Sequence, residues 1–345
     1  MNTYEDCPFQ FFLEYILELP SISGKKALLG TIVHLVLEIL AKASKTNHYA
    51  CNDKYTDPDY LLDIVWARFV EEEKENYVFT DAEKEFCRKS IDLVLGTQYD
   101  PKNLKILDIE KQFQIPIERD DFQFEYYDIM RQVVKKGWYE LRGTVDLVTE
   151  LDDETIEIVD WKTGKRSCWI TGAEKDCDYL ASKDIQVRMY DLAISLLYPE
   201  YKHRLITVHY INEGGPFTVT LSDEDRVETL EIIKDKLNRI SADSFPLRIK
   251  EEKRNHKWKC QYTCHFGKTC DKNGNSWCDN FYAHMSQTSM DEVIDIVGNA
   301  RRKKEAEGDT GASGNKAGNR RNVYKDDDET KRNDSSEKAL GKTGS

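Results

Sequence analysis

The chain has 345 residues, of which 39% are hydrophobic and 33% charged, with a formal net charge of −13. This length can bury a sizeable core as one large domain or two smaller ones. The acidic balance argues against broad attraction to nucleic acid, although an enzyme can gather basic residues into one groove. No run approaches the ~20 apolar residues of a membrane span. Because the N-terminus carries an acidic pair where a signal peptide has basic residues, we expect a cytoplasmic protein without a membrane partner.

The first hundred residues have a helical pattern. Apolar residues at helical spacing predict helices over residues 7–20, 28–43 and 58–98. After Pro101 the period changes to two, which predicts strands over 104–117, 122–130, 136–149 and 154–162. The last two strands are expected to be joined by a turn at Asp152-Asp153, a turn-prone pair.

The second half predicts a helix over 180–197, strands over 205–211 and 217–221, and a helix from Ser222 to about 240. Ser222 and Asp225 have the spacing of a capping box. From about residue 300 the chain is almost without apolar side chains, which predicts a disordered tail. We expect an α/β protein with a helical region over 1–100, a core over 101–245, a cysteine-rich segment over 246–290 and a tail over 300–345.

Two aspartates and a lysine stand at the end of the predicted hairpin. With the expected turn, Val145 pairs with Asp160 and Asp146 with Val159, so the aspartates are diagonal neighbours. Asp160 and Lys162 are two residues apart and share one strand face. Neighbouring carboxylates repel unless a cation lies between them, and hard oxygen ligands favour Mg²⁺ or Mn²⁺. Such a site hydrolyses phosphodiesters, with Lys162 orienting or helping to deprotonate water and offsetting the developing charge.

The alternative is a surface hairpin with a salt bridge, and for a bare D-x-K tripeptide that is the better interpretation. Here an apolar run, Ile156, Ile158 and Val159, leads into Asp-Trp-Lys-Thr-Gly. A buried strand that ends in charge favours a functional site.

Several further motifs accompany this hairpin. Taken singly, each has an ordinary explanation as a core histidine, a solvated strand charge or a helix face. Their joint order resembles the RecB-type branch of the PD-(D/E)XK nucleases, which includes the CRISPR-associated exonucleases of RecB type, over roughly residues 4–285. The matching segments are Gly30-Thr-Ile-Val-His34 (G-x-x-x-H), Glu110, Gly143-Thr-Val-Asp146 (G-x-x-D), Asp160-Trp-Lys162-Thr-Gly (D-x-K-T-G) and Gln186-Val-Arg-Met-Tyr190 (Q-x-x-x-Y).

The resemblance implies a restriction-endonuclease-like core, in which helices flank a central mixed β-sheet. It also implies a metal site for Mg²⁺ or Mn²⁺ and a catalytic group beside it. The implied metal ligands are His34, Asp146, Asp160 and the backbone carbonyl of Trp161, with Glu110 as a ligand or a neighbour of one. The implied catalytic set is Asp146, Asp160 and Lys162 with Gln186 and Tyr190, which would hold DNA phosphates or orient Lys162.

Four of the nine cysteines lie within residues 260–278. The resemblance extends to the AddB-like arrangement in which Cys260, Cys264 and Cys270 join a distant Cys7 around a [4Fe–4S] cluster. Three residues separate Cys260 from Cys264, where the family usually has two. A Zn²⁺ site that uses Cys278 is therefore an alternative. Cys7 favours the cluster, because a local zinc site gives it no role.

The expected function is a metal-dependent DNA nuclease of repair, recombination or replication. It would act as an exonuclease on DNA ends or single strands and leave 5′-phosphates. The alternatives are an endonuclease or flap nuclease, a non-catalytic DNA-binding subunit, and a zinc-dependent adaptor with no DNA role. Because the sequence lacks a G-x-x-x-x-G-K-[ST] motif, unwinding would need a helicase or other repair partner.

Overall fold

A computed structural model describes residues 2–19, 21, 23–47, 54–128, 131–167, 172–242, 260, 264–268, 276 and 278. Cys270, the predicted tail and most of the cysteine-rich segment lie outside these described residues. The helices are α1 (Asn2–Asp6), α2 (Pro8–Phe11), a π-helical turn (Phe12–Ile16), α3 (Lys25–Lys45), α4 (Pro58–Glu72), α5 (Asp81–Asp92), α6 (Cys177–Ser182), α7 (Ile185–Leu197), α8 (Asp223–Ala242) and a short helix at His265–Lys268. Short 3-10 turns lie at Lys54–Thr56, Pro101–Asn103 and Asp120–Phe122.

A five-stranded mixed sheet forms the centre, in the spatial order β1-β4-β5-β6-β7. Neighbouring strands are antiparallel except β5 and β6, which are parallel and joined through α6 and α7. The strands β2 and β3 form a separate two-stranded ribbon. The predicted α/β class with helices around a mixed sheet is confirmed. The strand bounds are β1 (Ile106–Pro116), β2 (Gln123–Asp128), β3 (Val133–Trp138), β4 (Glu140–Asp152), β5 (Thr155–Lys162), β6 (His203–Tyr210) and β7 (Phe217–Val219).

Each face of the sheet has its own helical layer. Apolar residues of β5 and β6 pack with α7 and Ile233 of α8 on one face. On the other face, Trp161 and Val159 pack with α3, α4 and α5. By length and composition α3 could also cross a membrane, yet just over half of its apolar window is buried in this layer, as is usual for a core helix.

Two predicted helices are each divided in the structure. The helix expected over 58–98 is α4 and α5, because Thr80 and Glu83 form a capping box that starts a new helix. The helix expected over 180–197 is α6 and α7, since Asp184 caps α7 by accepting from the Gln186 amide. The capping box of Ser222 and Asp225 is confirmed, with N···O distances of 2.8 and 3.2 Å.

The predicted strands also change in detail. The strand expected over 136–149 is two strands, since Tyr139 lies between β3 and β4. The turn between β4 and β5 falls at Asp153 and Glu154, one residue later than predicted. An irregularity between Glu150 and Asp152 then sets the register, and Leu147 pairs with Val159.

The predicted register of this hairpin was therefore wrong by one residue. The ladder ends at Leu147 and Val159, and the next residues on the two strands, Asp146 and Asp160, follow this last pair at the end of the hairpin. Directly opposed residues of antiparallel strands point to the same face, whereas the predicted pairing would have sent the two carboxylates to opposite faces.

Candidate active site

Three acidic residues stand at one level across neighbouring strands. On β1, Glu110 lies between residues that pair with Leu147 and Val145, which places it beside Asp146, itself opposite Asp160. Glu110 has a φ of +50°, a left-handed conformation that side chains other than glycine rarely adopt. Such a residue stores roughly 1–3 kcal/mol of strain, and these outliers concentrate at functional sites.

Asp146 is buried, with a relative exposure of 6%. Its Oδ2 accepts the Trp161 backbone N–H at 3.0 Å and lies 3.3 Å from His34 Nδ1. Burial acts to raise the pKa of Asp146. The neighbouring His34, the charge of Lys162 and the Trp161 amide outweigh it, so the pKa lies below its usual value. Asp146 is thus held as a carboxylate.

Asp160 and Lys162 form a close ion pair at the end of β5. Lys162 Nζ lies 2.7 Å from Asp160 Oδ2 and 3.0 Å from Oδ1. Burial raises the pKa of Asp160, and the charge of Asp146 adds to this against the opposing effect of Lys162. Burial acts to lower the pKa of Lys162, but the two aspartates raise it above its usual value. Lys162 is therefore a firmly protonated cation in this arrangement.

Helix α7 supplies the next contacts. Gln186 Oε1 lies 3.3 Å from Lys162 Nζ, and Gln186 Nε2 donates to Tyr190 Oη at 2.7 Å. The Tyr190 hydroxyl donates to the Thr144 carbonyl at 2.8 Å, two residues from Asp146. Burial raises the pKa of Tyr190, and the charges of Asp160 and Asp146 add to this, so Tyr190 remains a neutral donor. This chain of contacts fixes the position of Lys162 relative to both strands.

The contribution of Asp184 to the electrostatics of this site was not predicted from the sequence. Asp184, the cap of α7, also adds to the raised pKa of Lys162 through its charge. An aspartate two residues before Gln186 at the start of an apolar helical pattern is a recognisable N-cap signal.

Helix α3 brings His34 to the sheet from the opposite layer. The His34 and Trp161 rings pack edge to face, with centroids 6.2 Å apart. A Cβ on Gly30 would lie 2.9 Å from Thr163 Oγ1, so the absence of a side chain lets α3 approach the end of β5. This is a physical reason for glycine in the G-x-x-x-H segment.

The glycine of the G-x-x-D segment has a similar reason. Gly143 pairs with Phe113 across β4 and β1, and a Cβ there would lie 2.6 Å from the Phe113 ring. The buried Phe113 ring also packs edge to face on Tyr190, with centroids 6.4 Å apart. Gly143 thus makes room for a ring that supports the Tyr190 side of the site.

The donor set fits a hard divalent cation. Two buried carboxylates face one another, each already held by cationic or N–H partners, and an imidazole approaches from α3. As the side chains stand, no three His, Cys, Asp or Glu residues of the described chain are grouped closely enough to hold a metal ion. The Asp160 oxygens face Lys162 Nζ instead. Binding a metal would thus require Lys162 to move off Asp160.

The N-terminal residues meet Cys264, Phe266 and Cys278 at an apolar cluster that contains cysteines. Cys7, Cys264 and Cys278 pack with Phe9, Phe266 and neighbouring apolar residues. Cys260 also lies close by, since a Cβ on Gly267 would be 2.3 Å from its carbonyl oxygen. Burial raises the pKa of Cys264, and Cys7 and Cys260 contribute through their charges. The structure therefore places Cys7, Cys260, Cys264 and Cys278 in one region, although as they stand no three of these described cysteines are close enough to hold a metal ion.

Comparison with known proteins identifies the family. No curated protein matches the chain. The family model of the PD-(D/E)XK nuclease superfamily matches residues 1–271, which include both sides of the site described above. This family implies a nuclease that acts on nucleic acid and typically uses divalent metal ions. The chain belongs to the PD-(D/E)XK nuclease superfamily.

Proposed function

We propose that the protein is a Mg²⁺- or Mn²⁺-dependent deoxyribonuclease. It acts as an exonuclease on DNA ends or single-stranded DNA and leaves 5′-phosphates. The observation that carries the proposal is the opposed pair Asp146 and Asp160, with Lys162 on the same strand as Asp160 and two residues beyond it. Buried like charges are costly to a fold, so their presence at the end of a buried hairpin favours a role in chemistry.

In this proposal Asp146, Asp160, His34 and the Trp161 carbonyl hold the metal ion, with Glu110 beside them. The bound ion would polarise the phosphodiester and lower the pKa of a water molecule. The Trp161 amide and His34 orient Asp146, so its second oxygen keeps a defined direction. The buried Trp161 ring excludes solvent from the opposite side of β5.

Lys162 acts as a cation beside the scissile phosphate. A lysine ammonium at this position is suited to offset negative charge that develops in the transition state and to orient water. Gln186 and Tyr190 position Lys162 and offer polar atoms to a phosphate. When Asp160 binds a metal, the Gln186 contact gives the displaced ammonium a second partner.

The preference for DNA ends rests on the resemblance to the RecB-type branch. An endonuclease or flap nuclease would use the same residues. A non-catalytic DNA-binding subunit is disfavoured, because binding alone gives no reason to bury two opposed aspartates beside a lysine. A helicase partner would supply any unwinding.

The test is cleavage of labelled linear duplex, linear single-stranded and circular single-stranded DNA with Mg²⁺ or Mn²⁺. We expect cleavage of the linear substrates and none of the circle. Asp160→Ala and Lys162→Ala should each reduce the rate by about 100-fold or more. Lys105→Ala is the matched control, since Lys105 pairs with Glu150 at the other end of the sheet. Cleavage of the circle would identify an endonuclease, and no metal-dependent cleavage on any substrate would refute the nuclease.

We further propose that the cysteine cluster holds a [4Fe–4S] cluster which joins the chain ends. Support comes from Cys7, which approaches Cys264 and Cys260 although more than 250 residues separate them in sequence. The approach of a distant cysteine is what a cluster needs and a local zinc site does not. Cys270 is the fourth predicted ligand, and the buried Cys278 is the alternative for a Zn²⁺ site.

Metal analysis of anaerobically purified protein tests the proposed [4Fe–4S] cluster. We expect iron and sulfide in the bound material, absorption near 400 nm, and loss of both in Cys7→Ser. Cys177→Ser is the control, because the exposed Cys177 donates to the Thr218 carbonyl at 3.6 Å, outside the cluster. Zinc in place of iron, retained by Cys7→Ser, would support the local zinc site instead.

A further inference from the structure

The β2–β3 ribbon (residues 123–128 and 133–138) projects from the catalytic end of the sheet. Strand β5 ends at Lys162, while β1 and β4 continue to pair as far as Pro116 and Glu140. The ribbon follows directly, since Ile117 N–H donates to the Tyr139 carbonyl and Tyr139 N–H to the Phe122 carbonyl, both at 2.9 Å. It therefore extends in the direction in which β5 presents its catalytic residues.

Three aromatic rings form a row along one face of this ribbon. The Tyr139 and Phe124 centroids are 5.2 Å apart, and those of Phe124 and Tyr126 are 5.5 Å apart. Tyr126 is 49% exposed. Because β2 pairs only with β3 in the two-stranded ribbon, Tyr126 has a cross-strand neighbour on one side. Opposite it on β3 stands Lys135, so an exposed ring and a basic side chain share a cross-strand pair.

The row begins on the same face of the sheet as the catalytic helix. Tyr139 packs against the core cluster that includes Tyr190 of α7, and its hydroxyl lies 3.4 Å from Ser241 Oγ on α8. The row thus runs outward from the layer that positions Lys162 towards the exposed Tyr126.

The charge of the ribbon differs from that of the whole chain. Residues 123–138 contain three basic and two acidic residues, a net charge of +1, whereas the whole chain has −13. Lys136 pairs with Glu125 on the opposite face and Arg131 pairs with Glu18, so Lys135 is the basic residue on the face of Tyr126 and Phe124. Exposed rings beside an ammonium are complementary to a polyanion with stackable bases. Exposed Val133 on the same face gives a further apolar contact.

We propose that this face of the ribbon binds the single-stranded part of the nucleic-acid substrate. Unpaired bases stack on Tyr126 and Phe124, and Lys135 lies beside the phosphates. The inference rests on the proposed function for the identity of the ligand. Tyr139 is seven residues from Asp146 along β4, which corresponds to about 23 Å of strand, so the contact is made to nucleotides remote from the cleaved bond.

Binding by an inactive protein tests the ribbon apart from the chemistry. All variants carry Asp160→Asn, and fluorescence anisotropy measures affinity for a labelled oligonucleotide of about 30 nucleotides and for a blunt duplex of equal length. Tyr126→Ala should weaken single-strand binding by about 5- to 30-fold, as expected for one lost base–ring stack. Tyr126→Phe should bind as the parent does, because it keeps the ring. The affinity of Tyr126→Ala for the duplex should change less than twofold, because the bases of a duplex are already stacked on one another.

Val134→Ala is the matched control, since Val134 is 58% exposed on the opposite face of the ribbon. Equal single-strand affinities of Tyr126→Ala and the parent would overturn the inference. The inference would also fail if Tyr126→Ala weakened duplex and single-strand binding equally. It would fail likewise if Val134→Ala weakened single-strand binding as much as Tyr126→Ala does. If the wild-type protein cleaves DNA while Tyr126→Ala binds normally, the ribbon inference alone fails. A wild-type protein that neither cleaves nor binds nucleic acid would refute the proposed function and the inference together.

Discussion

Asp146 and Asp160 are neutralised by different partners, although they face one another. Asp146 accepts from a backbone amide and lies against His34, whereas Asp160 is held only by the flexible Lys162 side chain among the partners described. A rigid carboxylate next to one whose partner can move away suits a site that must exchange an ammonium for a metal ion. In the proposed metal-bound site, Lys162 would compete with the metal for Asp160.

Another buried acidic residue, Glu157, has a structural role. It is 5% exposed and accepts from the hydroxyls of Tyr99 and Thr207. Burial raises the pKa of Glu157, while the two hydroxyls act to lower it. Glu157→Gln keeps an acceptor without the charge, so we expect the free energy of unfolding at pH 7 to be unchanged or about 1 kcal/mol higher.

The pH dependence of this effect has a defined sign. A carboxyl with a raised folded pKa destabilises the fold as pH rises from its unfolded pKa through the folded one. Urea unfolding from pH 4 to 7.5 should therefore show the advantage of Glu157→Gln growing with pH. Glu154→Gln, at an exposed pair with Lys202, is the control and should show no such trend. A loss of stability in Glu157→Gln that grows with pH would contradict this assignment.

At the scale of elements, the pairing of β1 with β4 depends on the contact of Gly143 with Phe113. Gly143→Ala would place a methyl group 2.6 Å from the ring, which must then shift against Tyr190. We expect a loss of about 1–3 kcal/mol in thermal unfolding, as for other overpacked cores. The double variant Gly143→Ala with Phe113→Leu should recover part of this loss. If the double variant loses more free energy of unfolding than the two single variants lose together, the steric explanation is wrong.

The docking of α8 on α7 depends on a buried ion pair. Arg226 Nε lies 2.6 Å from Asp191 Oδ2, and Asp191 is fully buried. Burial raises the pKa of Asp191 in spite of Arg226. Arg226→Leu leaves this carboxylate without its main partner, and we expect a loss of about 3 kcal/mol in urea unfolding.

Lys234→Met on the same helix is the comparison for Arg226→Leu. Lys234 pairs with Asp121 at 2.7 Å, and both side chains are one-third exposed. Exposed pairs contribute about 0–1 kcal/mol. Equal effects of the two substitutions would show that the burial of Asp191 is not what makes its pair important.

The sequence predicted the hairpin but not its register. Apolar alternation indicated both strands, and the D-x-K spacing correctly put Asp160 and Lys162 on one face. The irregularity between Glu150 and Asp152 follows from backbone geometry, which residue types do not reveal, and it moved the pairing by one residue. The left-handed Glu110 was unpredictable for the same reason. By contrast, the division at Thr80 was readable, because Thr80 and Glu83 have capping-box spacing.

For the described part of the molecule, the main organising feature is the attachment of the N-terminal residues to later parts of the chain. Glu5 of α1 pairs with Lys236 and Arg239 of α8 at 2.7 and 3.1 Å, and the Tyr4 hydroxyl donates to the Arg239 carbonyl at 3.3 Å. These polar contacts tie α1 to the last turns of α8, and Cys7 and Phe9 pack with Cys264 and Phe266. Motif order predicted that Cys7 lies near the later cysteines, and Cys7 does pack in one cluster with Cys264 and Cys278, while their role as cluster ligands stays a prediction. The contacts of Glu5 were not predictable, because they depend on where α8 ends.

The central claim is that Asp146, Asp160 and Lys162 form one metal-dependent catalytic centre. The most direct test compares single-turnover DNA cleavage and Mn²⁺ affinity, the latter by electron paramagnetic resonance, in the wild-type protein, Lys162→Met and Asp160→Asn. We predict saturable metal-dependent cleavage by the wild type. Lys162→Met should cleave about 100-fold or more slowly yet bind Mn²⁺ at least as tightly, because the ammonium no longer competes for Asp160, and Asp160→Asn should lose both properties. Cleavage that needs no metal, or a Lys162→Met protein as fast as the wild type, would contradict the account.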